Sequence, residues 1–245
     1  MRLKTPTIKG KMGVYPAPTL PPSPKLLTLT DLVNDYIKPK GKRAWRITYG
    51  NCLLLKNGAP VSTLQLPNDP ITISVYGLHW DSKRNLFVPM DGHQRRIAGS
   101  LPSIIKELKR HQQRKVKPLT FSTFEDLFDF VANVASAVRS NTPNFKFGPL
   151  ANYDIAGRLA VVLQATGPKD IIYFQAGALD GIKNLYKNAS LPLPRKVRAG
   201  VANLTIYYNS LIAIPKFSPL SKLTADEIED FCCIYSDLLK TIKLP

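Results

Sequence analysis

The side chains of this sequence whose number and spacing could do chemistry are its lysines and arginines. There are 34 of them against 17 Asp and Glu, a formal net charge of +17 over 245 residues. The excess is concentrated in two segments. Residues 1–46 hold ten Lys/Arg and two Asp, a net of +8, and residues 83–117 hold ten Lys/Arg against Asp91 and Glu107, again +8. Mixed charges would serve solubility equally well, so a bias of sign points to an anionic partner. The chemistry on offer is phosphate contact: cations that neutralise phosphates release counterions and give salt-dependent, largely sequence-independent affinity. The candidate residues are Lys4, Lys9 and Lys11, then the knot Lys38, Lys40, Lys42, Arg43 and Arg46, then Lys106, Lys109, Arg110, Arg114, Lys115 and Lys117. A smaller basic stretch follows at Lys183, Lys187, Arg195, Lys196 and Arg198. Charge alone leaves RNA, DNA and lipid head groups open. Base stacking is a further candidate role for Trp45, inside Lys42–Arg46, and Trp80, beside Asp81–Arg84, although either ring also suits a core.

Signals for catalysis are sparse. The sequence has no Walker A loop, no G-x-G-x-x-G, no G-x-S-x-G and no H-E-x-x-H. His79, His93 and His111 have no Cys or carboxylate at metal-ligand spacing, and there is no C-x-x-C. Cys52 with one of these histidines is the one nucleophile–base pair available in principle. Asp81, Asp91, Asp154, Asp170 and Asp180 show no metal-site spacing. Neither catalytic residue, metal nor cofactor is expected. Cys232 and Cys233 read as filler on the last helix, and three cysteines, two of them adjacent, make no disulfide framework, which is reducing-compartment usage.

Several elements must position these cations. Residues 1–25 hold five Lys/Arg, no acid and six prolines, with Pro16–Pro24 favouring polyproline II, so they read as a flexible basic arm. Residues 26–245 read as one compact domain. Leu29–Ile37 is a short amphipathic helix. Ala44–Tyr49, Cys52–Leu55 and Val61–Leu66 are strands around the tight turn Asn57-Gly58. Ile71–Tyr76 alternates with period two and reads as a strand, and Asp81–Asn85 is turn chemistry before a strand at Leu86–Val88. Ser100–Lys117 is a basic helix with Leu101, Ile104, Ile105 and Leu108 on one side. The next helix opens on a capping box of Ser122 and Glu125 and carries Leu127, Phe128, Val131, Val134, Ala135 and Val138 at helical spacing. Leu159–Leu163 and Ile171–Phe174 are expected as buried strands, Leu179–Lys187 as a helix, Leu204–Tyr208 and Leu211–Ile214 as strands. The last helix opens on Thr224 and Glu227, with a stripe of Ile228, Phe231, Cys232, Tyr235, Leu238, Leu239 and Ile242. Asp226, Glu227, Glu229, Asp230 and Asp237 gather acid there. The mixed order without regular alternation implies an α+β fold with an antiparallel sheet and packed helices. The longest uncharged stretch, Ala199–Pro215, falls short of the roughly 20 apolar residues of a membrane span, and no secretory signal is visible, so a soluble or peripheral protein is expected. Tyr235–Leu238 fits a short membrane-sorting motif, but both residues fall on the apolar stripe.

In layout the chain resembles the matrix proteins of negative-strand RNA viruses, nearest to rhabdoviruses. The likeness lies in the size, the basicity, the Lys/Pro-rich arm, the single α+β domain, and the end of the chain, Arg198–Tyr208 followed by Phe217-Ser218-Pro219 and a closing helix. The arm segment Tyr15–Pro24 matches neither Pro-Pro-x-Tyr nor Pro-Thr/Ser-Ala-Pro, so the resemblance does not extend to the budding motifs. It implies a non-enzymatic viral structural protein that bridges an anionic membrane and a ribonucleoprotein and self-associates. It also implies a place in the virion and in host cytoplasm or nucleus, which the import-like clusters Lys38–Arg43 and Lys109–Lys117 would suit. The alternatives are a dedicated nucleic-acid-binding protein, such as a nucleocapsid, plasmid or phage protein, and a nucleic-acid-processing enzyme.

Overall fold

The computed structural model describes residues 27–37, 70–76, 78–81, 86–89, 100–114, 121–145, 147–162, 167–198 and 202–244. The arm 1–25, the knot 38–46 and the strands expected around Asn57-Gly58 lie outside these residues. The class is α+β, and both sheets among the described residues are antiparallel pairs. Within the stretch expected as one domain, the chain contacts itself in two compact units.

The first unit contains α2 (Pro70–Tyr76), β1 (Leu78–Asp81), β2 (Leu86–Pro89), α3 (Leu101–Arg114), α4 (Phe124–Asn141) and α5 (Pro149–Val162). β1 and β2 pair antiparallel from Leu78↔Pro89 to Asp81↔Leu86; the turn expected at 81–85 lies, after Asp81, outside the described residues. Helix α3 buries Leu101, Ile104, Ile105 and Leu108, the i, i+3, i+4, i+7 set of one face. Helix α4 buries Leu127, Phe128, Val131, Val134, Ala135 and Val138. Phe124, Phe128 and Tyr153 meet at ring distances of 5.7 to 6.2 Å in the same core. Arg158 is 1% exposed on α5, and its Nε donates to the Ser74 carbonyl of α2.

Two expectations here are corrected. Residues 71–76 form a helix, not a strand. Pro70 opens it, where proline costs no hydrogen bond and presets φ, and Ile71, Ser74 and Val75 then bury at helical spacing. Leu159–Val162 is the last turn of α5, not the start of a buried strand. This helix is apolar on nearly all sides, so a short window of its residues reads the same as a buried strand. The cap of α4 also moves by one residue: Thr123, not Ser122, accepts the Asp126 N–H at 3.1 Å.

The second unit contains α1 (Leu29–Ile37), β3 (Ile171–Phe174), α6 (Ala176–Asn188), β4 (Leu204–Tyr207), α7 (Tyr208–Ile212), a 3-10 helix (Pro215–Lys222), α8 (Ala225–Ile234) and a short 3-10 turn (Leu238–Lys240). Thr28 and Asp31 form a reciprocal cap on α1, Thr28 N–H to Asp31 at 2.9 Å and Asp31 N–H to Thr28 Oγ1 at 3.1 Å. The chain end closes on that start: Lys243 N–H donates to the Leu27 carbonyl at 2.7 Å. Tyr235 Oη donates to the buried Asp35 carboxylate at 2.6 Å. β3 and β4 pair from Ile171↔Tyr207 to Phe174↔Leu204. The expected strand at Leu211–Ile214 is corrected: β4 runs straight into α7, and Leu211 is buried from that helix. Glu227 accepts the Thr224 N–H at 3.0 Å as expected, and α8 buries Ile228, Phe231 and Cys232. It ends at Ile234, and the expected stripe continues through Tyr235, Leu239 and Ile242 in turns.

The tightest packing in this unit is α6 on α8. A Cβ on Gly181 would lie 2.0 Å from the Cys232 carbonyl oxygen, so only glycine lets the two backbones approach this closely. On Gly177 it would meet the Cys233 Sγ at 3.1 Å, a side-chain atom that can turn aside. Gly181→Ala should therefore destabilise the protein by about 1–3 kcal/mol in urea unfolding, and Gly177→Ala by clearly less. Burial pushes the Tyr186 hydroxyl, also on α6, from 10 up to about 12. Both states keep that proton well below pH 10. Above it the unfolded chain ionises first, so stability falls as pH rises towards 12. Tyr186→Phe should remove about 1 kcal/mol of that alkaline loss, solvent screening having reduced the full value of the shift, read as a flatter stability-versus-pH curve.

Candidate phosphate-binding interface

Helix α3 carries the described part of the basic face. Its inward set fixes the rotation of the helix, which leaves Lys106 and Arg110 exposed and Lys109 half-buried. Lys106 and Arg110 are one turn apart and line a groove against α4 together with Ser103, Glu107, Ala137, Val138, Asn141 and Thr142, about 540 Å3 in volume. The helices run antiparallel along this seam, with Ser103 near Asn141 and His111 near Phe130. Among the described residues Glu107 is the one carboxylate on the groove wall. It holds Arg110 at 3.2 Å and lies 3.4 Å from His111 Nε2. Lys106 makes no ion pair among the described residues.

Beyond His111 the seam turns aromatic. The His111 ring meets Phe130 edge-on at 5.4 Å, and Phe130 meets Phe121 at 5.3 Å. All three residues are half-buried. Sequence reading missed the α4 side of the seam. The signal was present: Phe130, Ala137 and Asn141, seven and then four residues apart, form a stripe that flanks the core stripe of the same helix.

Of the residues expected to contact phosphate, the structure brings Lys106 and Arg110 into one groove and places Lys109 on the same helix. Arg114 ends α3, and its side chain lies outside the described residues, as do Lys4, Lys9, Lys11, Lys38, Lys40, Lys42, Arg43, Arg46, Lys115 and Lys117. The smaller basic stretch is divided. Lys183, Lys187 and Arg195 are exposed, whereas Lys196 Nζ donates to the Ala202 carbonyl at 2.7 Å and Arg198 to Tyr173 Oη at 3.0 Å.

Among the described residues no group of three or more His, Cys, Asp or Glu is placed to hold a metal ion, and no helix is long and apolar enough to cross a membrane. Comparison with protein-family models, with curated proteins and with solved structures returned no match. Cys232 is fully buried, and its thiol is pushed well above its usual range by that burial, then by the Glu229 carboxylate and the Cys233 sulfur beside it. A thiol held protonated is a poor nucleophile. In a Cys52→Ser/Cys233→Ser variant, Cys232 should resist a disulfide labelling reagent at pH 8 in buffer and react fully in denaturant. Rapid labelling of the folded variant would contradict this placement.

Proposed function

We propose that the chain is a non-enzymatic structural protein of matrix type, which links a ribonucleoprotein to an anionic membrane surface through basic faces and self-association. In this reading it works in the virion and in host cytoplasm or nucleus, peripheral at membranes. The observation that carries the reading is the uncompensated cation of the α3 groove: Lys106 is exposed without an ion pair among the described residues, in a chain of net charge +17. Such a side chain gains most when it meets phosphate and sheds counterions.

Filter binding to single-stranded RNA and co-sedimentation with phosphatidylserine vesicles, each across a salt series, test the proposal. Both should show tight binding at low salt that weakens as salt rises. Lys106→Gln with Arg110→Gln should lower the RNA salt slope by ~1.4, since each single-strand phosphate contact contributes about 0.7. Binding to neither ligand at about 50 mM salt, where electrostatic affinity is strong, overturns the proposal.

A further inference from the structure

The α3–α4 seam carries more than charge, and its second half favours one class of phosphate bearer. We propose that the seam is a single-strand nucleic-acid site, in which Lys106 and Arg110 hold backbone phosphate and the Phe130–Phe121–His111 cluster stacks a base beside it. This deepens the proposed function and rests on its phosphate-binding reading.

Three observations carry it. The first is continuity. Lys106, Glu107 and Arg110 line the groove, and Glu107 reaches both Arg110 and His111, whose ring meets Phe130, so the groove is contiguous with the ring cluster. Arg110 and His111 are consecutive, about 1.5 Å apart along the axis and about 100° around it, so a phosphate held at Arg110 and a base at the rings would sit on neighbouring edges of the seam. Basic grooves interleaved with accessible rings are the means by which proteins hold single strands without reading sequence, because every base has a face to stack. The second is recess. Phe121 and Phe130 are half-buried and are not among the exposed large hydrophobics. Insertion into a lipid interface needs projecting apolar side chains. Among the described residues the exposed large hydrophobics are Leu193 and Tyr207, neither of them on α3 or α4. The third is Glu107. Its carboxylate holds the Arg110 guanidinium against its own helix and adds negative charge to the groove wall. It therefore tempers affinity, and an incoming phosphate competes with it for Arg110.

Fluorescence anisotropy of the full chain with a labelled oligothymidylate, the same length of duplex DNA, and phosphatidylserine vesicles tests the assignment. Phe130→Leu keeps an apolar side chain of similar bulk and removes the ring. It should weaken the single strand about fivefold or more, leave the salt slope unchanged, and leave duplex and vesicle binding within about twofold. Glu107→Gln should tighten the single strand, and Arg110→Gln should weaken it with a shallower salt slope. Melting temperatures close to that of the parent chain confirm that each variant is folded, and Phe121→Leu provides a second ring variant if Phe130→Leu does not fold. If the ring variants leave the single strand untouched while Arg110→Gln weakens it, the stacking site is wrong and phosphate binding by α3 stands. The same conclusion follows if Phe130→Leu weakens vesicle binding instead. If the parent chain binds no polyanion at low salt, the phosphate-binding reading fails as well.

Discussion

Thirty-four cations face 17 carboxylates, so one-to-one pairing leaves at least half of the cations without a carboxylate. That shortage of counter-charge decides how the cations are used. A lysine or arginine without a carboxylate must stay in water, donate to a neutral acceptor, or wait for an anion from outside. The second unit uses the middle option repeatedly. Lys216 Nζ reaches the Ala189 carbonyl just past the end of α6 at 2.9 Å, Lys196 reaches Ala202, and Lys222 reaches Asn34 Oδ1 at 3.4 Å. In the first unit Arg158 donates to Ser74 from inside the core, and Arg139 donates to the Phe147 carbonyl at 2.7 Å with Phe145 under its guanidinium. These cations are structural, because carbonyls left over at helix ends and in turns need donors. Among the described residues the α3 groove keeps the third option, with Lys106 facing water and the Glu107 carboxylate serving Arg110; Lys183, Lys187 and Arg195 are exposed as well.

The parts of the fold that were legible in sequence are those where local and tertiary demands agree. Helix α3 was visible because four aliphatic residues at helical spacing are separated by charges. The start of α8 is written in a short capping signal, Thr224 with Glu227, and the chain obeys it; the cap of α1, Thr28 with Asp31, went unread. β3 and β4 were legible from β-branched and aromatic runs bounded by turn residues.

Three short runs rich in Ile, Val and Leu misled for one shared reason. Residues 71–76, 159–163 and 211–214 are strong strand formers by composition, yet their described residues hold helix or turn and no strand. Strand preference measures fit to a pleated, half-buried surface and is small beside the burial that a helix achieves when its neighbours supply a groove. The deciding residues lie outside the runs themselves: Pro70 and Pro149 open two of the helices, and the third continues directly from β4. A window centred on the apolar run sees the propensity and misses the punctuation.

The seam could not be read from one element at a time. Its cations are visible in α3 and its rings in and before α4, but nothing in sequence says that these two flanks face each other. That follows from packing. An apolar stripe taken alone can be covered by many partners. Burying Ile104, Ile105 and Leu108 on α3, and Leu127, Val131, Val134 and Val138 on α4, requires each helix to present one face to the core, and the rotation so fixed sets what stands on the rims. Lys106 and Arg110 then rise on one rim and Ala137 and Asn141 on the other, with His111 meeting Phe130 where the rims converge. The apolar contact that stabilises the helix pair is thus what brings a charge and a ring together, and altering the core stripe would move the groove as surely as replacing the residues that line it.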